Sequence, residues 1–192
     1  MIVILGESAS GKSTLVKQFI NKNPEYKKLV TYTTRPKREN EKNGVDYIFV
    51  TDHMFKKLKE KNFFIENTTY RGWQYGVPKI DCISKNIISI LTPSGMRSLQ
   101  KQGINMTTIY LMVDRRSRLI QALCRGDDIE EAYRRNLSDS GQFDGLVNEV
   151  DYVIENSGFN MDEDKVLECL HEILRVDKEI PNKESETKIP TD

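Results

Sequence analysis

Short apolar runs alternate with longer amphipathic stretches along the first 175 residues of the chain. The runs at 2–5, 87–91 and 108–113 are nearly continuous, which is typical of strands buried on both faces of a sheet. The longer stretches repeat apolar residues every three or four positions, as a helix with one buried face does. Together these patterns predict strands over 2–5, 28–33, 47–50, 87–91, 108–113 and 152–154, and helices over 12–22, 53–61, 95–102, 115–124, 129–139 and 161–175.

The order of these elements predicts an α/β fold, because strands that alternate with helices form right-handed βαβ units around a parallel sheet. The segment 34–77 breaks the alternation, and its aromatic, threonine- and glycine-rich second half predicts short antiparallel strands. We therefore expect a three-layer αβα core formed by 1–33 and 78–175, with a small mixed α/β lobe inserted at 34–77. Residues 176–192 hold many charges and few apolar side chains, which predicts a disordered tail.

Composition excludes several classes of partner. The 192 residues carry 29 lysines and arginines against 29 aspartates and glutamates, so binding to nucleic acid through net positive charge is not expected. No apolar run approaches the roughly 20 residues that cross a bilayer, and residues 1–6 lack the basic start of a secretion signal. Cys82, Cys124 and Cys169 fit no disulfide or zinc spacing. We expect a cytoplasmic protein with reduced thiols, either a monomer or a homodimer.

A phosphate-binding loop (P-loop) follows the first predicted strand. Residues 6–13 match the pattern Gly-x-x-x-x-Gly-Lys-Ser, between a strand and a helix. The glycines let backbone N–H groups point into a concave turn, and the helix N-terminus adds the positive end of its dipole. Lys12 would reach the β- and γ-phosphates of a nucleotide, and the Ser13 hydroxyl would ligate Mg²⁺. The predicted ATP-binding residues are Gly6, Ser8, Ala9, Ser10, Gly11, Lys12, Ser13 and Thr14.

A basic segment at 33–50 carries a second set of anion-binding groups. Arg35 and Arg38 flank Pro36, which stiffens the loop, and guanidinium groups suit bidentate binding of one phosphate. Tyr47 places a phenol at the start of the next predicted strand. A basic loop alone is usually a solvated surface, so this segment indicates a second phosphate site only together with the P-loop.

The two motifs together resemble the guanylate kinase family. In that family a pattern T-T-R-x-x-R-x-x-E-x-x-G-x-D-Y-x-F-V follows the P-loop, and every fixed position of it occurs at 33–50. Further along, Phe64-Ile65-Glu66, Tyr75-Gly76, Arg125-Gly126 and the segment 153–156 are similar to later family motifs. The resemblance covers about 1–175 and implies a P-loop kinase with a helical lid near 115–140.

The resemblance also implies roles for individual residues. Glu66 would accept hydrogen bonds from the ring N–H and the exocyclic amino group of guanine, an edge that suits a carboxylate. Lys12 and arginines of the lid would neutralise charge on the transferred group, with Mg²⁺ bound to ATP as the cofactor. The implied catalytic residues are Lys12, Arg125, Arg134 and Arg135, and the implied acceptor-binding residues are Thr31, Arg35, Arg38, Tyr47, Glu66, Tyr75 and Thr92.

Four positions depart from the family pattern. Ile90 and Thr92 stand where the family has acidic residues, and Val77 stands where a hydroxyl residue is usual. Gln121 replaces an expected lid arginine, for which Arg118 is a candidate substitute. Each lost hydrogen bond to a base costs about 1 kcal/mol, so the reaction type is predicted more firmly than the base.

These observations predict transfer of the ATP γ-phosphate to GMP or dGMP. Two alternatives stay open from the sequence. One is a kinase for another nucleoside monophosphate or a sugar phosphate on the same scaffold. The other is a non-catalytic, guanylate kinase-like binding module, which the intact Gly11-Lys12-Ser13 disfavours.

Overall fold

Five parallel strands form the central sheet of the protein. The structure is a computed structural model that describes residues 1–39, 41–70, 72–79 and 86–179, so Cys82 lies outside the described residues. The sheet confirms the predicted α/β class, and its strand order is β2-β7-β1-β8-β9. Its strands are β1 Ile2–Leu5, β2 Lys27–Lys28, β7 Ile87–Ile90, β8 Thr107–Met112 and β9 Tyr152–Glu155.

Helices cover both faces of this sheet. On one face, Ile2 and Ile4 pack against helices α1 (Lys12–Lys22) and α6 (Glu163–Glu179). On the other face, Val3 and Leu5 pack against helix α3, Pro93–Lys101. Because successive side chains of a strand point to opposite faces, the apolar run of β1 serves both cores.

A second sheet of four strands lies beside the first, in the order β4-β3-β6-β5. The predicted strand over 28–33 is divided between the two sheets, because β2 pairs with β7 whereas the residues after Leu29 turn into the second sheet. The second sheet therefore begins before residue 34. Its elements are β3 Tyr32–Thr33, β4 Ile48–Phe49, β5 Phe64–Tyr70 and β6 Trp73–Pro78, with helix α2 Asp52–Glu60 between β4 and β5.

Side-chain caps determine where the helices begin. The Thr51 hydroxyl accepts a hydrogen bond from the Met54 N–H at 3.2 Å, so α2 starts one residue before the predicted position. Thr92 caps α3 in the same way, accepting from the Gly95 N–H at 3.1 Å. Such caps satisfy N–H groups that have no partner inside the helix.

Two helices beyond β8 form the predicted lid segment. Helix α4 spans Arg115–Cys124 and helix α5 spans Ile129–Asp139, as the sequence predicts. The turn between them contains Gly126 with φ of +83°, a conformation that favours glycine. The Asp128 carboxylate then accepts from the Glu131 N–H at 2.9 Å and starts α5.

The last helix is longer than the sequence predicts. Helix α6 continues to Glu179, so the first four residues of the segment 176–192 are helical rather than disordered. Asp177 explains the extension, because its carboxylate accepts hydrogen bonds from Thr107 Oγ1 at 2.6 Å and from the Tyr152 hydroxyl at 3.5 Å. Residues 180–192 lie outside the described residues. Among the described helices, none combines the length and apolar character needed to span a bilayer.

Candidate active site

A cavity of about 260 Å³ opens between the P-loop, the second sheet and helix α5 with the turn before it. It brings together most of the residues that the sequence singled out, although they come from three separate parts of the chain. Those that line it are Gly6, Ser8, Ala9, Lys12, Ser13, Thr31, Arg35, Arg38, Tyr47, Glu66, Tyr75, Thr92, Arg125 and Arg135. Ser10, Gly11 and Thr14 instead line a neighbouring cavity of about 90 Å³ that also contains Gln121 and Asn156.

The P-loop connects β1 to α1 and depends on two glycines. At Gly6 a Cβ would lie 2.8 Å from the Leu111 carbonyl oxygen, so only glycine fits there without movement. Gly11 has φ of +94° and precedes α1 without a side-chain cap. The first N–H groups of α1 are therefore not bonded to a capping side chain and suit an anion.

Lys12 is held against the loop that it belongs to. Its Nζ donates to the Glu7 carbonyl oxygen at 2.5 Å and to Ser10 Oγ at 3.2 Å. Burial lowers the pKa of the Lys12 ammonium to about 8, while the carboxylates of Asp139 and Glu7 partly oppose that shift. Phosphate oxygens close to Nζ would favour the charged form further.

A buried cluster of charges beside the P-loop was not predicted as a group. Asp139 Oδ2 accepts a hydrogen bond from the Ser8 N–H at 2.7 Å. Arg118 Nη2 lies 3.5 Å from Glu7 Oε1, and the Tyr110 hydroxyl donates to Glu7 Oε2 at 3.1 Å. The only sequence signal was Arg118 as a substitute for the missing lid arginine. Glu7 lies more than 100 positions from Arg118 and Asp139 lies on the following helix, and no local motif encodes either contact.

The loop that carries Arg35 and Arg38, here called the arginine loop, is held in place by one carboxylate. Arg35 Nη2 lies 2.6 Å from Glu41 Oε1, and Glu41 Oε2 accepts from the Arg38 N–H at 2.8 Å. Arg38 Nη1 lies 3.8 Å from Glu41, and its side chain is 45% exposed. Burial, followed by the charges of Arg35 and Arg135, lowers the pKa of Arg38. Glu41 therefore fixes Arg35, while Arg38 keeps donors for an incoming anion.

Two phenols complete this side of the cavity. The Tyr47 ring lies 6.1 Å from the Tyr75 ring, and the Arg35 guanidinium lies 5.4 Å from the centre of the Tyr47 ring. Burial raises the pKa of Tyr47 to about 12, so its hydroxyl stays protonated and can donate to a phosphate. The arginine loop thus offers cationic and neutral donors together.

Glu66 lies at the deep end of the second sheet. It is 5% exposed, and its neighbour across the β5–β6 pair is Val77. Burial alone raises the pKa of the Glu66 carboxyl to about 7. Thr92 lines the same region, but its hydroxyl is already bonded to the Gly95 N–H and to Ser94 Oγ at 3.0 Å. Glu66 is thus a buried carboxylate that lines this end of the cavity.

The arginines that the sequence predicts for a lid differ in what they contact. Arg125 Nε donates to Asp127 at 2.9 Å, and Arg135 contacts both Asp127 at 2.9 Å and Glu131 at 2.7 Å. Both arginines line the cavity. Arg134 does not line it, because its guanidinium pairs with Glu131 and lies 5.6 Å from the centre of the Trp73 ring.

Comparison with known proteins decides which family this geometry represents. A family model described as Guanylate kinase matches residues 1–175. The chain belongs to the guanylate kinase family. It is therefore an ATP-dependent nucleoside monophosphate kinase, and the predicted resemblance is confirmed.

Individual relatives support the same assignment. The guanylate kinase of Rickettsia typhi is 30% identical over 180 residues, covering 91% of this chain and 89% of that protein. The guanylate kinase of Nitrosococcus oceani is 28% identical over 84% of this chain and 82% of its own length. The crystal structure of guanylate kinase from Anaplasma phagocytophilum has a TM-score of 0.68 at 24% identity, over 92% of this chain and 85% of that chain. That structure agrees with the P-loop α/β fold described above.

Trp73 offers a direct optical test of the contact between helix α5 and the second sheet. It is the single tryptophan of the chain, it lines the cavity, and Arg134 stacks on it. We expect its fluorescence emission to change when GMP binds. The Arg134–Trp73 cation–π pair, which contributes about 0.5–1 kcal/mol, exists without nucleotide, so Arg134→Gln should shift the emission of the free protein and change the Kd for GMP by less than about twofold. An emission spectrum that stays constant up to GMP saturation would contradict this role of Trp73.

Proposed function

We propose that the protein transfers the γ-phosphoryl group of ATP to GMP or dGMP, giving ADP and GDP or dGDP. The observation that carries this proposal is that the P-loop and the arginine loop line one cavity. Two anion-binding loops that share a cavity suit a reaction between two phosphorylated substrates. Glu66 lines the same cavity, and its carboxylate would accept hydrogen bonds from the edge of guanine that carries two donors.

The proposed mechanism relies on positioning and charge neutralisation. The acceptor is a phosphate oxygen whose second pKa is about 6, so it is largely ionised at neutral pH and needs no general base. That oxygen attacks the γ-phosphorus, the bond from the γ-phosphorus to the β,γ-bridging oxygen breaks, and ADP leaves with the electron pair. Lys12, Arg125 and Arg135 would stabilise the negative charge on the transferred group.

We also propose a division of labour within the fold. Residues 34–77 would bind the acceptor, residues 115–140 would act as the lid, and the rest of the core would hold ATP. Closure of a lid excludes water, which would otherwise accept the phosphoryl group. The ion pairs of Arg135 with Asp127 and Glu131 support this role, because they keep a cavity-lining guanidinium on the lid helix.

The residues at the P-loop are compatible with Mg²⁺ that arrives with the nucleotide. Ser13 is exposed at the start of α1 and offers a hydroxyl oxygen, whereas Ile90 has no oxygen ligand in its side chain. No group of three acidic, cysteine or histidine ligands occurs within the described ranges. Mg²⁺ commonly keeps several waters and binds through substrate phosphates and few protein oxygens, so Ser13 is the proposed protein ligand. Bound Mg²⁺ would neutralise charge on the β- and γ-phosphates.

We propose a cytoplasmic enzyme of purine nucleotide metabolism, either a monomer or a homodimer, whose partners are ATP and a nucleoside monophosphate. Neither nucleic acid nor a membrane is a proposed partner, since the formal net charge is zero.

A panel of acceptors tests the proposed reaction. ADP release would be measured with ATP, Mg²⁺ and each of GMP, dGMP, AMP, CMP, UMP and TMP. We expect GMP and dGMP to be preferred, with a preference reduced by the missing contacts at Val77, Ile90 and Thr92. A higher kcat/KM for any other monophosphate would replace the proposed acceptor, and no ADP release with any of them would refute the proposed function.

Glu66 makes the selection of guanine depend on pH. A neutral carboxyl keeps its carbonyl oxygen as an acceptor but turns an O–H donor toward the second N–H group of guanine, so both guanine hydrogen bonds are expected only above the Glu66 pKa of about 7. We expect kcat/KM for GMP to rise with pH through about 7 and then level off. Glutamine keeps one acceptor oxygen, so Glu66→Gln loses one of the two hydrogen bonds; at about 1.5–3 kcal/mol for a bond to a charged group, kcat/KM at pH 8 should fall about ten- to a hundredfold.

The glutamine variant also serves as the control for that profile. In the pH profile of kcat/KM, Glu66→Gln should abolish the step near pH 7 and leave only the step near pH 6 that comes from ionisation of the GMP phosphate. Burial raises the pKa of this carboxyl in the folded protein from its ordinary 4.5 to about 7, so stability is lost as pH rises from about 4.5 to about 7. The variant should accordingly unfold at a higher temperature than the wild type at pH 8. Identical pH profiles for the two proteins would show that Glu66 does not contact the base.

A further inference from the structure

A carboxylate on helix α5 accepts a hydrogen bond from a P-loop N–H group that could otherwise bind an anion. Asp139 is the last residue of α5, is 5% exposed, and accepts a hydrogen bond from the Ser8 N–H through Oδ2 at 2.7 Å. Ser8 and Lys12 both belong to the loop that receives the phosphates of ATP, and the Asp139 charge raises the Lys12 pKa against the effect of burial. A carboxylate oxygen therefore sits where the loop offers a backbone donor and a cation.

The same oxygen faces a buried arginine with a free donor. Arg118 Nη1 lies 3.9 Å from Asp139 Oδ2, which is too long for a hydrogen bond, and it makes no hydrogen bond within the described part of the chain. The guanidinium is held in place from behind, since Arg118 Nε donates to the Val113 carbonyl oxygen at 2.9 Å. Nη2 lies 3.5 Å from Glu7 Oε1, so this contact is also loose. The Arg118 guanidinium is thus held in one orientation, and only some of its N–H donors are hydrogen-bonded.

We propose that Asp139 Oδ2 marks the position of a terminal phosphate oxygen of ATP, and that Arg118 is the arginine that binds this phosphate in place of the lid arginine missing at Gln121. The inference rests on the proposed function only in so far as ATP is the donor. When ATP binds, its terminal phosphate takes the Ser8 N–H and the free donor of Arg118, and Asp139 moves away because two anions would otherwise share the position. A phosphate offers more acceptor lone pairs than one carboxylate oxygen, which suits the unused Nη1.

The connections of α5 support such a movement. The helix lies between Gly126 and Gly141, which have φ of +83° and +80°, and a Cβ at either glycine would meet nothing within 4 Å. Turns of this kind can change their dihedral angles without disturbing the core. Asp139 can therefore leave the P-loop together with the end of the helix that carries it.

The test separates the terminal phosphate from the rest of the nucleotide. Dissociation constants of ADP and of a non-hydrolysable ATP analogue would be measured by calorimetry with Mg²⁺ present, for the wild type and Arg118→Gln. Because a charge-assisted contact to the terminal phosphate is lost, the analogue should bind about tenfold or more weakly, and ADP within twofold of the wild type. Arg116→Gln, a substitution of an exposed arginine on the same helix, should change neither constant. Equal weakening of ADP and the analogue by Arg118→Gln would mean that Arg118 is purely structural and would overturn the proposal.

A second variant decides the matter if Arg118→Gln does not fold. Asp139→Asn keeps the size of the side chain and removes the competing charge, so the analogue should bind about three- to tenfold more tightly than to the wild type, since like-charge repulsion disappears. Unchanged or weaker binding of the analogue would overturn the role of Asp139 as a stand-in for phosphate. Both measurements omit the acceptor, so they remain informative if GMP is not the acceptor. If the acceptor panel gives no ADP while the analogue still binds as expected, the proposed reaction fails and this inference stands.

Discussion

Lys12→Ala should lower kcat for GMP phosphorylation at least about a thousandfold, because charge neutralisation of the transferred phosphoryl group is the largest contribution in such reactions. Lys12 is the cation that the P-loop itself contributes, and its Nζ bonds only to loop oxygens among the contacts described above. On nucleotide binding these contacts are exchanged for contacts with phosphate oxygens. The rate would be measured by coupled ADP release at saturating ATP and GMP.

The same substitution should leave the fold intact. Burial lowers the pKa of Lys12 to about 8, so holding it charged below that pH costs stability, and removing it should not lower Tm at pH 7. Lys17→Ala is the matched control, since Lys17 is exposed on the same helix and should keep the wild-type rate. A Lys12→Ala protein with more than a tenth of the wild-type kcat would show that the P-loop is not the site of transfer.

Arg38→Met should raise KM for GMP about ten- to a hundredfold and lower kcat as well, since a charge-assisted contact to phosphate is lost. Arg38 is the better target of the pair because Arg35 is buried and bound to Glu41, so truncating Arg35 would leave a carboxylate unpaired. The Arg38 side chain is 45% exposed, and methionine keeps much of its apolar stem. Steady-state kinetics with varied GMP would separate the two effects.

Lys37→Met provides the control for that substitution. Lys37 is the exposed neighbour of Arg38, and its ammonium donates to the Glu41 carbonyl oxygen at 3.0 Å without lining the cavity. It changes the net charge by the same amount, so general attraction of anionic GMP falls equally in both variants. If both substitutions raise KM to the same extent, the arginine loop acts through net charge alone and not as a phosphate site.

Local patterns made the central fold and the P-loop predictable. The strand, the glycines and the helix of the P-loop follow one another within a few residues, and each has its own sequence signal. The strand predicted over 28–33 shows what local sequence signals do not determine. The sequence pattern predicts a strand for both halves, but only pairing with distant partners assigns β2 to one sheet and β3 to the other.

The charged cluster at the P-loop lay beyond local patterns for the same reason. Ser8 and Asp139 are 131 positions apart, and neither residue type signals the other. The choice between Arg134 and Arg135 depends on the angular register of α5, which places one side chain in the cavity and the other against Trp73. The extension of α6 depends on Asp177 meeting β8 and β9, again a contact between distant segments.

Binding of a bisubstrate analogue tests most directly whether the two anion-binding loops act as one site. The probe is adenosine joined to guanosine through five phosphates, titrated by calorimetry in the presence of Mg²⁺. We expect one molecule to bind per chain, more tightly than ATP or GMP alone, and to exclude both nucleotides, because joining two ligands avoids a second loss of translational freedom. Two molecules bound per chain, or an affinity no greater than that of ATP with GMP still able to bind, would contradict the shared site and the phosphoryl transfer that depends on it.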